Sequence, residues 1–403
     1  MELVELGSIL CFEKGKKPVS QTDSPDEGYL PYVDIEAFET GKIKQYTNGK
    51  KCTPCNEGDI LIVCDGSRSG LVGRAVKGYV GSTLAKISAD GLSNRYLFRF
   101  VQGKYALLNT KKKGTGTPHL NQEILRQQKL IIPSFSDQER IVARVEDLFS
   151  QLDAGVDTLK KTKAQLAVYR QAVLKEAFEG RLTDHIPVSI SLSWASGDET
   201  RTLPMIPEEW HYIALKYLGD LGRGKSKHRP RNDPKLFVDG KYPFIQTGDV
   251  KAAINHITSF TKQYGEFGLS QSKLWPKGTL CITIAANIAE TAFLGIDACF
   301  PDSVVGFTPN ESVLADYIRY FIESQKIRLW AFAPATAQKN INLDTLENLI
   351  VPYCSIDEQH IVVSEIESRM SVCDSIEQTV DIALQQAEAM RQSILNHAFE
   401  GSL

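Results

Sequence analysis

The chain has 403 residues, 42% hydrophobic and 24% charged, with ordinary glycine and proline usage, which allows two or three globular cores and excludes a disordered or fibrous protein. No run of about 18 apolar residues occurs, and the start, Met1-Glu-Leu-Val-Glu-Leu-Gly7, lacks the basic flank and apolar stretch of a secretion signal; no membrane partner is expected, and the expected location is cytoplasmic. The formal charge of −3 is unevenly divided, because residues 358–403 carry eight acids against Arg369 and Arg391.

Residues 1–135 read as a mixed, strand-rich domain without a long helix. Short apolar runs at 29–35, 59–64 and 96–101 are punctuated by Gly, Pro and Asn. Pro133 stops a last strand-like run at 129–132, and Ser136-Asp-Gln-Glu139 has the spacing of a capping box, in which each side chain satisfies a free backbone amide at a helix start. A long helix is expected over 136–182, since Val145, Leu152, Leu159, Leu166 and Val173 recur every seven residues and form a seam for a partner helix.

That helix is written twice. Residues 137–182 and 358–403 superpose without a gap at an offset of 221 and agree at 15 of 46 positions, among them Gln138/Gln359, Glu146/Glu367, Asp153/Asp374, Arg170/Arg391 and the shared Ala-Phe-Glu-Gly ending at Gly180 and Gly401; about 3 matches are expected by chance. Ser355-Ile-Asp-Glu358 reads as the same capping box, and the second seam is Ile366, Cys373, Val380, Ala387 and Ile394, with Ile376, Ala383 and Met390 expected beside it. The first helix balances eight bases with eight acids, while the second is strongly acidic.

Residues 183–207, rich in Ser, Thr and Pro, read as a linker. Residues 208–355 form a second globular domain that echoes the first: Leu6-Gly7 is paired with Leu218-Gly219, Leu30-Pro-Tyr-Val33 with Tyr242-Pro-Phe-Ile245, and the 57–62 stretch with 277–282. Outside such anchors the two domains hardly agree. The second contains five bases and no acid over Arg223 to Arg231, and the first contains a run at Lys111, Lys112 and Lys113. Such runs are solvated loops or polyanion-facing surfaces, the latter favoured when equivalent places in a repeat are both basic.

Signs of chemistry are sparse. Gly219-Asp-Leu-Gly-Arg-Gly-Lys-Ser226 matches a phosphate-loop pattern, but Pro230 and Pro234 forbid the helix it requires, so it reads as an exposed basic loop. The eight cysteines have no framework spacing, and Cys52-Thr-Pro-Cys55 lacks the second pair a zinc site needs, so reduced thiols are expected and no metal. No histidine pair has ligand spacing; His119 and His228 are surface residues or phosphate contacts. No catalytic residue and no cofactor are expected.

Pro133 with Asp137-Gln-Glu-Arg-Ile-Val142, its counterpart Glu358-Gln-His-Ile-Val-Val363, the two Ala-Phe-Glu-Gly endings, and the second domain's opening Leu203-Pro-Met-Ile-Pro-Glu-Glu-Trp210 resemble, in order and duplication, the specificity subunit of type I restriction-modification enzymes. The first domain departs from the pattern in lacking the Pro-x-x-Trp opening. The resemblance covers essentially the whole chain. It implies an α+β fold of two similar mixed target recognition domains joined by two long antiparallel coiled-coil helices, a pseudo-twofold tandem repeat. It also implies that each domain reads one half of a split double-stranded DNA site. The helices would be a spacer that docks methyltransferase (M) subunits, two in number, with a motor-nuclease (R) subunit in the full complex and no chemistry in this chain. A helix of about 40 residues spans about 60 Å, enough to hold two readers in major grooves about 34–36 Å per turn apart.

Candidate DNA-binding residues are Lys14, Lys16, Lys17, Ser67, Arg68, Lys111, Lys112, Lys113 and Thr115 in the first domain, and Arg223, Lys225, Lys227, Arg229, Arg231 and Asn287 in the second. The rival class is a scaffold that displays two protein-binding domains on a helical pair.

Overall fold

A computed structural model describes residues 3–114, 118–183, 193–196, 199–285, 287–332 and 340–400. The chain forms two units, one of Met1–Lys161 with Val380–Leu403 and the other of Thr162–Thr379. Each long helix, Phe135–Phe178 and Ile356–Phe399, therefore begins in one unit and ends in the other.

In the first unit a central strand, Ile60–Val63, is buried along its whole length and pairs antiparallel with Leu84–Ala89 and Val72–Arg74; Leu10–Lys14 closes the far edge. An unbroken apolar strand of this kind needs cover on both faces. One face packs on Leu6, Leu97, Phe100 and Val101, the other on Val33, Ala37 and Val80. A second sheet places Leu30–Val33 parallel to Gly78–Val80. The apolar run at 96–101, expected as a strand, lies in a helix, Asn94–Gly103, which Ser93 caps by accepting the Tyr96 amide. Its apolar residues share one helical face, a 3.6-residue period hidden in so short a run.

The second unit rebuilds this frame. Gly219–Arg223, Val304–Pro309, Leu280–Thr283 and Thr291–Leu294 form the corresponding sheet, and Ala315–Ser324 the corresponding helix. Here the repeat corrects the sequence pairing of Leu6 with Leu218. Leu6 donates its amide to Gln128 and accepts from Ile9, while Leu215 donates to Leu349 and accepts from Leu218. Leu6 therefore corresponds to Leu215, both fully buried. Within 183–207, Ser193–Ser196 pairs with Glu199–Thr202, and Leu203 and Ile206 are buried together with Trp210.

Both helix starts rest on a buried glutamine. The Gln138 carbonyl oxygen accepts the Ser93 amide at 2.8 Å, and its amide nitrogen donates to the Gly91 and Pro133 carbonyls at 2.8 and 3.1 Å. Gln359 accepts from Leu314 at 2.8 Å and donates to Ser312 and Cys354 at 3.2 and 2.9 Å. Each partner differs by 221 in number, and neither glutamine is exposed to solvent. The first helix is capped by Ser134, not Ser136: the Ser134 hydroxyl accepts the Asp137 amide and donates to the Asp137 carboxylate. Ser355 holds the same place at the second helix, accepting the Glu358 amide.

Within each unit the two helices run antiparallel. In the first, Val145 and Phe149 pack with Leu395 and Ala398, and Arg391 pairs with Asp153. In the second, Arg170 bonds Asp374 at 2.7 Å and Glu377 at 2.8 Å. The two arginine–aspartate pairs are one interaction written twice. Of the expected seam, Val145, Leu166, Val173, Ile366, Cys373, Val380 and Ala387 are buried, and Leu152, Leu159 and Ile394 are half-buried. Ile376 and Met390, expected beside the seam, face solvent. The inward neighbours are instead Phe149, Lys163, Arg170 and Ala177 on the first helix and Met370, Glu377, Arg391 and Ala398 on the second, several of them charged and joined in ion pairs, a pattern hydrophobicity alone does not reveal.

The helix ends also dock alike. Phe178 meets Tyr317 and Phe321 edge-on at 5.0 and 5.2 Å, and Phe399 meets Tyr96 and Phe100 at 5.0 and 5.5 Å. Gly180 after the first helix adopts a φ of 72°, the left-handed closing turn glycine permits. Gly401 lies outside the described residues.

Replacing Gln138 with Leu leaves one amide and two carbonyls unpaired in the interior, each worth about 1–3 kcal/mol. Gln138→Leu and Gln359→Leu should each lower stability by about 3 kcal/mol or more in urea unfolding, while a substitution at exposed Gln151 should change it by less than about 0.5 kcal/mol.

Candidate nucleic-acid interface

In the first unit the candidate residues gather where the central strand ends. Lys14 closes the edge strand and its ammonium reaches both oxygens of Asp65 at 3.0 and 3.3 Å. His119 bonds the same carboxylate through Nδ1 at 2.7 Å, and its backbone bridges to both Asp65 and Lys113. Lys112 donates to the Ser67 carbonyl at 2.9 Å, which also accepts from the Asn109 amide at 2.8 Å. Arg68 pairs with Glu39 at 2.5 Å, and Lys113 with Glu123 at 3.6 Å. Lys16, Lys17 and Lys111 are exposed with no charged partner among the described residues; Thr115 lies outside them.

In the second unit the basic segment divides into strand and loop. Gly219–Arg223 is a sheet strand, so the apparent phosphate-loop glycines are spent on pairing. Gly224 then donates its amide to Val304, as Gly15 does to Leu84, which makes Lys225 the structural counterpart of Lys16. Neither lysine side chain has a partner among the described residues. Arg223 donates to the Asp302 carbonyl at 3.0 Å, and Arg231 bonds both Asp302 carboxylate oxygens at 2.7 and 2.8 Å. Arg229 turns back onto the carbonyls of Ser226 and His228. Lys227 is exposed; its backbone amide donates to Gln271. Asn287 stands apart, with its carbonyl accepting from Thr283.

Sequence reasoning named the cations and missed the acids that orient them. Asp65, Asp302 and Asp233, the last bonded to His228 at 2.7 Å, carry no run or motif and become visible only when strands far apart in sequence meet. Burial opposes ionisation of Asp65, yet hydrogen bonds and charge from His119 and Lys14 hold its carboxyl below the usual range. The hydrogen bond from the Lys235 amide, then that from His228, hold Asp233 low as well. Burial pushes the thiols of Cys64 and Cys354 up to about 12, which removes the thiolate a nucleophile would need. Among the described residues no group of three or more His, Cys, Asp or Glu is placed to hold a metal, and no helix is long and apolar enough to cross a membrane.

The model of the type I restriction modification DNA specificity domain matches residues 1–167 and again 207–386. The chain belongs to this family. A type I restriction enzyme specificity subunit, MjaVIII of Methanocaldococcus jannaschii, is 26% identical over all of this chain and 92% of its own length. The EcoBI specificity subunit of Escherichia coli is 26% identical over 93% of this chain and 80% of its own. Among solved structures, one from work on complex assembly and conformational transition of the type I R-M system aligns over 100% of this chain and 98% of its own at a TM-score of 0.75 and 19% identity. The HsdS subunit from Thermoanaerobacter tengcongensis aligns over 100% and 97% at 0.58, also at 19% identity. Recognition of a DNA target is the function of this type I restriction-modification specificity subunit.

The carboxylate of Asp65 stabilises the first unit wherever it is ionised in the folded state more readily than in the unfolded one. A lowered value means that this contribution is complete above the ordinary aspartate value of 3.8 and is lost as pH falls below it through the folded value. Thermal melts of Asp65→Asn should therefore start lower than wild type at about pH 7 and fall less steeply below about pH 4; parallel curves would show that the carboxylate contributes nothing.

Proposed function

We propose that residues 1–135 and 208–355 are two target recognition domains, each reading one half of a bipartite double-stranded DNA site. Residues 136–182 and 356–403 act as the spacer and 183–207 as the linker. The observation that carries this is the equivalence of Lys16 and Lys225, two exposed lysines without ion-pair partners at the same place in one frame built twice, surrounded by different side chains. A shared cationic position supplies the sequence-blind attraction to phosphate, and divergent neighbours supply two different base preferences.

In this reading the chain performs no chemistry and carries no cofactor. Its helices dock methyltransferase subunits, two of them, and a motor-nuclease subunit completes the assembly in the cytoplasm. Val372, Ile376 and Met390, exposed along the second helix, support the docking role, since apolar residues turned to solvent on an acidic helix suit a protein partner.

Charge reversal tests the reading. Lys16→Glu with Lys17→Glu, or Lys225→Glu with Lys227→Glu, should weaken binding to all DNA sequences alike and flatten the logarithmic salt dependence by about 0.9 for each phosphate no longer neutralised. Unchanged affinity and slope in both double variants would favour a scaffold that displays its domains to proteins.

A further inference from the structure

A cleft of about 240 Å³ opens in the second unit beside the basic loop. Phe244, buried and stacked on Tyr264 at 4.1 Å, lines it together with Arg231, Asn232, Thr247, Lys262 and Ser303. We propose that this cleft receives the edge of a DNA base and that Asn232 determines which base is accepted. The inference rests on the reading of the second unit as a DNA-binding domain and adds a specificity residue to it.

The loop that carries Asn232 is held on both sides. Before it, Arg231 is fixed by two bonds to Asp302; after it, Asp233 bonds His228 and accepts the Lys235 amide at 3.0 Å. Between these anchors the Asn232 side chain is exposed and makes no hydrogen bond among the described residues. A carboxamide free to bond, carried on a loop anchored on both sides, offers one donor and one acceptor side by side. That pair matches N7 and the N6 amino group of adenine on the major-groove edge. Arg231 and Lys262, the cations lining the cleft, suit flanking phosphates, which position a reader without informing it. Thr247 and Ser303 add hydroxyls that bond a neighbouring base edge.

Among the described residues, the matching position of the first unit is built differently. Tyr32 corresponds to Phe244 through the shared Pro-aromatic strand, and its hydroxyl is already engaged by the Ser82 amide at 2.9 Å. The adenine preference is assigned to the half-site that the second unit reads.

The test is selection from a randomised double-stranded oligonucleotide pool by the full chain assembled with its methyltransferase subunits. Asn232→Ala should erase the preference for adenine at one position of one half-site, a loss of about 5- to 150-fold in discrimination, while the other positions keep theirs. Asn232→Asp should move the preference at that position to cytosine, whose N4 amino group a carboxylate accepts. If both variants select the wild-type sequence, or lose every position equally, the role of Asn232 is wrong. If the wild-type complex itself selects no sequence, the DNA-reading assignment of the second unit falls with it.

Discussion

One buried carboxamide fixes each globular domain to its own helix, and the rest of the architecture depends on that joint. Gln138 and Gln359 each satisfy one amide and two carbonyls at the point where the packed domain helix begins and the long helix departs. Three interior bonds from one planar group fix direction as well as position, which apolar packing alone does not. The far end of the opposite helix then closes each unit through Phe399 on Tyr96 and Phe100, or Phe178 on Tyr317 and Phe321. Each unit is thus built from a domain, the head of its own helix and the tail of the other.

This arrangement separates frame from reader. Interactions that repeat at the 221 offset belong to the frame: the glutamines, the arginine–aspartate crossings and the aromatic tails. The charged clusters at the ends of the sheets are among the features that differ. There the first unit gathers Lys14, Asp65 and His119, and the second sets Arg223 and Arg231 on Asp302. Such a division lets side chains at the sheet ends vary while the buried joints stay intact.

The repeat was legible in the sequence because the frame is made of interactions that need particular side chains. Gln138/Gln359, Asp153/Asp374, Arg170/Arg391 and Phe178/Phe399 stood out as identities, and each proves to be a specific bond or ring contact. Less was legible where a pattern was short or its meaning non-local. The Leu-Gly pair at 218–219 resembled Leu6-Gly7, but strand pairing sets the register at Leu215. The helix at 94–103 is too short to show its period. The inward positions at Lys163, Arg170, Glu377 and Arg391 are charged, so the apolar heptad pattern points to Ile376 and Met390 instead. Basic loops were visible as charge runs, whereas the aspartates that orient them are single residues brought in by folding.

The central claim is that two separable readers sit on one shared frame. It is tested most directly by replacing residues 1–135 with the equivalent region of a relative of different target, then mapping the sequence selected by the assembled complex. The account predicts that one half of the selected sequence changes while the other half and the spacing between them persist. A change in both halves, or in neither, would contradict it.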